Sequence, residues 1–342
     1  MGVVAKILCV LVSLFGGMAV LSAQDLSAYI NGRSGAGLKN SLAAVCRPRH
    51  IVSGLTVRNG AWQAFRITDT NSDGTVRDRY SSECREFPVD GFSPVSGMTA
   101  DAVVCTSYWG SACSYGDTVR LDLHHLLPCN IAVPENKSDY VPGEVVSPVY
   151  DNGVWKAGIG LIAGENAEVY QPSAEYRGDF ARMIMYVATL YPCDRWKGKA
   201  VHLFADNGFP TLNNYAVKLL LAWHREDPVS DVERKRNDAV ESVQGNRNPF
   251  VDYPDLAEYM WGDKSGETYV IAGEKLPLRS VYKLSDERID LYSPYIADDA
   301  EWYFRGQKLE KDYLLPEDLG AGVHELRFVA RDKRGKLKIR VE

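Results

Sequence analysis

The hydrophobic pattern of this chain changes period once, and that change limits what it can fold into. Between Phe180 and Trp261 apolar residues recur at helical spacing, whereas from Glu267 to Glu342 they come in short alternating runs. Helices and strands bury different faces, with periods of 3.6 and 2 residues, so the two stretches belong to different cores. In the first stretch, Phe180, Met183, Ile184, Val187, Leu190 and Tyr191 follow Gly178-Asp179 and predict one amphipathic helix. Tyr215 to His224 predicts a second. Ser230-Asp-Val-Glu233 is a capping box that opens a third, with Val232, Ala239, Val240 and Val243 on its buried side. Asp255 to Trp261 predicts a short fourth after Pro254. Residues 51–121 are irregular, rich in Gly, Ser and aromatics, and suited to short strands. Helices around a small β element make the large unit α+β.

The second stretch reads Thr268-Tyr-Val-Ile, Ile289-Asp-Leu-Tyr, Glu301-Trp-Tyr-Phe, His324-Glu-Leu-Arg-Phe-Val and Leu337-Lys-Ile-Arg-Val, separated by turns such as Arg305-Gly-Gln and Gly320-Ala-Gly. Short strands with polar turns predict a small all-β, immunoglobulin-like sandwich over residues 264–342. It carries no catalytic cluster and reads as an accessory module whose partner the sequence leaves unknown.

At the other end, Lys6 precedes an apolar run from Ile7 to Leu21, and Leu21-Ser22-Ala23 ends it with small residues. That is the layout of a secretory signal peptide over residues 1–23; the run is short for a membrane span, and Cys9 lies inside it rather than at a lipid-attachment position. The expectation is an exported protein, periplasmic or extracellular, with no membrane span and a monomeric state. Residues 24–263 then form the large unit. Removing Lys6 with the leader moves the formal charge from -6 to -7, which excludes a generally basic nucleic-acid binder; any polyanion must meet a local basic surface or a metal ion. Six cysteines remain, Cys46, Cys84, Cys105, Cys113, Cys129 and Cys193. Their even number in an exported chain suggests disulfides of unspecified pairing, and the Cys105–Cys113 spacing does not suit a zinc knuckle.

Chemistry concentrates at two adjacent histidines in Asp122-Leu-His-His-Leu-Leu-Pro128. Neighbours on a helix point about 100° apart, so one of the two can face a given site, where it can ligate a metal or move a proton. Asp69-Thr-Asn71-Ser-Asp73-Gly74 opens like a calcium loop, but its twelfth position is Tyr80 rather than Glu, so it reads as a polar turn. Gln244 to Asn248 reads as a segment that fixes loops and caps a helix.

The histidine motif, with Val133 and Lys137-Ser-Asp-Tyr-Val-Pro-Gly-Glu-Val145 after it, resembles the signature of the endonuclease I family. Gly178-Asp-Phe-Ala-Arg182 is similar to that family's Gly-Asp-x-Ala-Arg helix. Trp223-His-Arg-Glu-Asp-Pro-Val-Ser230, Glu233, Arg236-Asn237 and Gln244-Gly-Asn-Arg-Asn-Pro-Phe-Val-Asp-Tyr-Pro254 extend the resemblance, which covers residues 36 to 262 in order. It implies a secreted or periplasmic nuclease with a ββα-metal (His-Me finger) site that cuts DNA and often RNA with little sequence preference. It also implies the mechanism: a histidine activates water, and one divalent ion, usually Mg²⁺, holds the scissile phosphate. The ion is held by an acid just before that histidine and by an Asn or His on the following helix. By resemblance, Asp101 and His125 are the metal ligands, Lys137 stands where the family has Arg, and His124 is a further candidate for proton transfer.

One half of the implied site departs from the pattern. The family carries Glu-His-x-x-Pro, a variable residue, then Ser-Trp, an aromatic and Gly; here the matching stretch is Asp101-Ala-Val-Val-Cys105-Thr-Ser-Tyr-Trp-Gly110. Ala102 falls on the base histidine and has no proton acceptor. Val133-Pro134 stands where Val-Asn is usual, and Asp139 replaces Asn. Two functions follow: a metal-dependent endonuclease acting on DNA or RNA at reduced rate, or a catalytically inactive pseudo-nuclease that binds a ligand or partner.

Overall fold

The computed structural model describes residues 23–50, 60–91, 93–109, 116–193, 195–271, 275–276, 278–293, 296, 299–331 and 333–342. The leader, with its apolar run, and Cys113 lie outside the described residues. In the large unit the helices are α1 (Ala23–Ile30), α2 (Gly35–Val45), α3 (Gly60–Thr68), α4 (Gly116–Arg120), α5 (Val133–Lys137), α6 (Arg177–Leu190), α7 (Asn214–Glu226), α8 (Asp231–Gln244), α9 (Pro249–Asp252) and α10 (Leu256–Met260). Its strands are β1 (Met98–Ala102), β2 (Leu126–Asn130), β3 (Val141–Pro142), β4 (Val145–Asp151), β5 (Lys156–Ile162) and β6 (Glu165–Gln171). The class is α+β, as expected. Among the described residues no helix is long and apolar enough to cross a membrane.

Local chemistry sets the helix limits. Asn213 Oδ1 accepts from Ala216 N, Ser230 Oγ from Glu233 N, and Asn248 Oδ1 from Phe250 N, each satisfying an amide that the helix leaves free. Gly245 ends α8 in the left-handed region at φ 76°, a conformation that favours glycine. The helix from Arg177 is buried on every side from Gly178 to Leu190, rather than on one face as its spacing predicted. It forms the centre of the core, with Phe180, Ile184, Val187 and Leu190 among residues packed with Leu38, Leu42, Leu220, Trp223 and Phe250.

Three readings of the sequence are corrected. Gly60–Thr68 forms a helix inside the stretch read as irregular, and its Trp62 and Phe65 pack with Met98, Leu123, Leu126 and Val240 in a second cluster. The buried side of α8 is Glu233, Arg236, Asn237, Val240 and Gln244, while Val232 is exposed; charges lie inside because their partners are inside, which hydrophobic spacing cannot register. The disulfide expectation fails at four positions: Cys46, Cys84, Cys105 and Cys129 are free, and Cys46 and Cys129 pack in the core as small apolar side chains. Cys193 is disulfide-bonded.

Two β layers matter for the site, an antiparallel pair and a mixed sheet. β1 pairs with β2, setting Asp101 opposite Leu127 and Ala102 opposite Leu126. A four-stranded sheet in the order β3-β6-β5-β4 flanks the core. The C-terminal unit has strands β7 (Val281–Tyr282), β8 (Ile289–Asp290), β9 (Glu301–Phe304), β10 (Gln307–Lys308), β11 (Tyr313–Leu314), β12 (Gly322–Val329) and β13 (Arg334–Val341), with helix α11 (Pro316–Leu319). They form a five-stranded sheet in the order β10-β9-β12-β13-β7 and a β11-β8 pair, over a separate core of Tyr282, Ile289, Trp302, Leu326, Ile339 and Val341. The run at Thr268 does not join that core. Tyr269 bridges Arg33, donates its hydroxyl to Asp255 and packs in the large core.

The deepest feature of the large unit is ionic. Asp69, fully buried, accepts from Arg79 Nη1 at 2.9 Å and Arg236 Nε at 2.8 Å. Arg79 reaches Asp179, which meets Arg182, which is held by Glu233 at 2.6 Å. Arg236 also donates to the carbonyls of Leu123 and Leu126. Removing one member leaves buried charge without its counter-ion, so Asp69→Ala is expected to lower stability by about 3–5 kcal/mol in urea unfolding. A loss under about 1 kcal/mol would place this cluster with surface ion pairs instead.

Candidate active site

Strands β1 and β2 pair with each other although α4 lies between them in the chain, α5 follows β2, and the sequence-predicted residues sit on or beside these elements. Asp101 lies near the end of β1 and is 9 % exposed. Its Oδ2 accepts from Tyr80 Oη at 2.7 Å and from Lys137 Nζ at 2.9 Å. The same ammonium donates to Ala102 O at 3.0 Å and lies 5.0 Å from the Tyr170 ring centroid. Lys137 is thus a buried cation held by a carboxylate, a carbonyl and an aromatic face, all within one small chamber. Burial and the Asp101 charge push the Tyr80 phenol well above its usual value, so it stays a hydrogen donor.

The histidine pair occupies the turn before β2, not a helix. Asp122 builds that turn. Its Oδ1 accepts from His124 N at 2.9 Å and Gln244 Nε2 at 2.7 Å, and its Oδ2 from Tyr186 Oη at 2.7 Å and Tyr191 Oη at 2.6 Å. Four donors replace the water that this fully buried carboxylate lost. His124 Nε2 lies 3.1 Å from Asn246 O, and its ring packs on Tyr186 at 4.7 Å between centroids. Burial outweighs the pull of Asp122 and lowers His124 to about 4, so it is neutral and structural at pH 7.

His125 is fully buried at the start of the β1–β2 ladder, where its carbonyl accepts from Val103 N. Its Nε2 is 2.5 Å from Val119 O. A carbonyl accepts only, so Nε2 carries the proton and Nδ1 keeps a lone pair. That Nδ1 has no hydrogen-bond partner among the described residues. Burial lowers the His125 pKa, and the negative charges of Asp122 and, more weakly, Asp101 oppose it.

The helix that follows the two strands is α5, and it opens with Val133-Pro134. Pro134, which stands where the resemblance has Asn, has no donor atom in its side chain, and His125 lies in the turn before β2 rather than on this helix. Ala102 is partly buried against the second cluster and offers no acceptor. Among the described residues no group of three or more His, Cys, Asp or Glu is arranged to hold a metal ion. The residues present do not fit a divalent ion: the one acid in place is ion-paired and the helix ligand is absent. Tyr80 is a participant that the sequence pattern did not single out, having no motif of its own.

The other sequence candidates resolve structurally. Asp69 of the calcium-like loop is spent on Arg79 and Arg236, and Asp73 Oδ1 accepts from Thr75 N and Oγ1 within the turn. In the segment from Gln244, Asn246 Nδ2 donates to Cys46 O and Tyr186 Oη, and Arg247 pairs with Asp252 and Glu241.

With this geometry in view, the profile described as Endonuclease I matches residues 34–255. The chain belongs to the Endonuclease I family. It is 28 % identical over 247 residues to an extracellular ribonuclease of Bacillus subtilis (strain 168), covering 67 % of this chain and 76 % of that relative. An extracellular ribonuclease of Bacillus amyloliquefaciens is 30 % identical over 243 residues, covering 68 % and 76 % respectively. The family match ends before β7, so the C-terminal unit lies outside it.

The neutral His124 gives a measurable acid sensitivity. Its folded pKa lies below the unfolded value of about 6.5, so the unfolded chain takes the proton first and stability falls as pH drops from about 6.5 to about 4. Asp78 and Glu233, raised to about 6 and about 7 mainly by burial, act in the opposite direction. The stability difference between wild type and His124→Gln isolates the histidine; it is expected to shrink by roughly 2–3 kcal/mol between pH 7 and 4.5. A pH-independent difference would mean that His124 takes up its proton as readily in the fold as in the unfolded chain.

Proposed function

We propose that this is an exported protein that keeps the Endonuclease I scaffold but has lost its hydrolytic centre, and that it acts by binding rather than by cutting. One observation carries the reading: the carboxylate of Asp101, the remaining acid of the implied metal site, is neutralised from within by the ammonium of Lys137. A divalent ion there must displace a buried Lys that also caps Ala102 O, and Pro134, where the resemblance has Asn, offers no side-chain ligand. The base position carries alanine, a loss that alone costs about 10²–10⁴ in rate. In this reading the β1, β2 and α5 elements are a ββα-metal motif without its metal, and the C-terminal unit is an immunoglobulin-like accessory module that supplies contacts. Export rests on the N-terminal leader pattern and on the extracellular description of both relatives.

The relatives' description as ribonucleases favours a second reading, hydrolysis of RNA or DNA phosphodiesters with Mg²⁺ or another divalent cation. Asp101 and His125 would hold the ion through Oδ1 or Oδ2 and the free Nδ1, while His124 and Lys137 would assist. The buried, neutral state of His124 and the pairing of Lys137 argue against that division of labour.

The two readings separate in one assay. The purified mature chain with Mg²⁺ is expected to leave supercoiled plasmid and RNA as intact as an Asp101→Ala control does, and the double variant Ala102→His/Pro134→Asn is expected to gain cleavage. Mg²⁺-dependent cleavage by the natural chain, abolished in Asp101→Ala, would establish the hydrolase.

A further inference from the structure

The whole chain is acidic, with a formal charge of -6, yet one surface of it is strongly basic. Side chains alternate across a strand. Leu326, Ile339 and Val341 face the core of the C-terminal unit. Arg327 of β12 and Arg334, Lys336, Lys338 and Arg340 of β13 therefore point outward, and all five are exposed. Residues 322–342 hold seven Lys and Arg against three Asp and Glu, a net of +4.

Two features show that these cations are not simply a solvated face of balanced charge. Arg327 stands directly opposite Lys336 in the ladder, a like-charge pair that costs stability. Lys336 pairs with Glu325 at 2.7 Å, but Arg327, Arg334 and Lys338 have no carboxylate at ion-pair distance among the described residues. Charges that blunt a sheet edge account for part of β13, but not for Arg327, because β12 lies between β9 and β13. At one end of the same face a groove of approximately 460 Å³ is lined by Tyr303, Arg305, Val323, Glu325 and Arg327. Tyr303, on β9 and cross-strand from Arg327, is half-buried there.

We propose that the outward face of the five-stranded sheet binds single-stranded nucleic acid, with its free cations on phosphates and a base stacked on Tyr303 in the groove. A row of cations along one strand repeats about every 6–7 Å, which suits a polymer carrying charge at regular intervals. Aromatic and basic side chains combined on a groove are the recurrent means of holding single strands. An anionic membrane fits less well, since the centre of the face is charged and the exposed Val281, Val323 and Val329 lie at its margin. The proposal does not depend on whether the large unit cleaves.

The test is fluorescence anisotropy of labelled single-stranded DNA and RNA oligonucleotides with the full mature chain over a range of salt. Arg327→Ala/Lys338→Ala is expected to weaken binding by about ten-fold or more and to reduce the slope of log K against log salt by about 1.4, or about 0.7 per phosphate contact. Tyr303→Leu is expected to weaken it by about five-fold or more with the slope unchanged. Lys218→Ala, at an exposed position on α7 of the large unit, is expected to leave binding as it is. Both surface changes are at outward positions, so the fold is kept. No binding at low salt, undiminished binding in the double variant, or tighter binding to phosphatidylglycerol vesicles or to alginate than to oligonucleotides would each overturn the proposal.

Discussion

The large unit depends on a chain of buried ion pairs that begins at Asp69. That residue directly follows α3, yet its partners come from the loop beyond it and from α8, and through Arg79 the chain continues to α6 and back to α8 by way of Glu233. Arg236 takes the same connection to the carbonyls on either side of the histidine pair. Such a cluster contributes less net stability than an apolar core of equal volume, because every member had to be dehydrated. What it supplies is register: α3, α6, α8 and the turn before β2 can meet in one arrangement only.

Against that frame, the residues at and after the end of β1 depart one by one from those that the resemblance implies. Where the family resemblance implies an acid, a base and a helix ligand, this chain has Asp101, Ala102 and Pro134. Lys137 ties these positions together, since its ammonium meets Asp101, Ala102 O and the Tyr170 ring. Asp122, with four donors, keeps the histidine turn in its form even though neither histidine faces a reacting group. A scaffold held by interior hydrogen bonds and ion pairs does not require its surface chemistry, which is why the fold persists when the site changes.

The charge pattern shows a related division. The acidic total hides a basic face confined to β12 and β13, and a strand's two-residue period is what keeps that face separate from the apolar one beneath it.

How much of this was legible in the sequence varies with the physics involved. Apolar periodicity placed the helices from Phe180, Tyr215 and Asp231 onward and the strands at Glu301, His324 and Leu337, because burial of apolar area is a local pattern repeated along an element. The capping box at Ser230 was equally legible, since its partners are three residues apart. The motifs determined the family, and within them Ala102 was legible at the position where the resemblance implies a histidine. Tertiary structure alone decided that α8 buries Glu233 and Arg236, that His125 lies in a turn, and that Lys137 closes on Asp101. Each of these rests on partners tens of residues away, and a charged side chain looks the same in a sequence whether it faces water or its counter-ion.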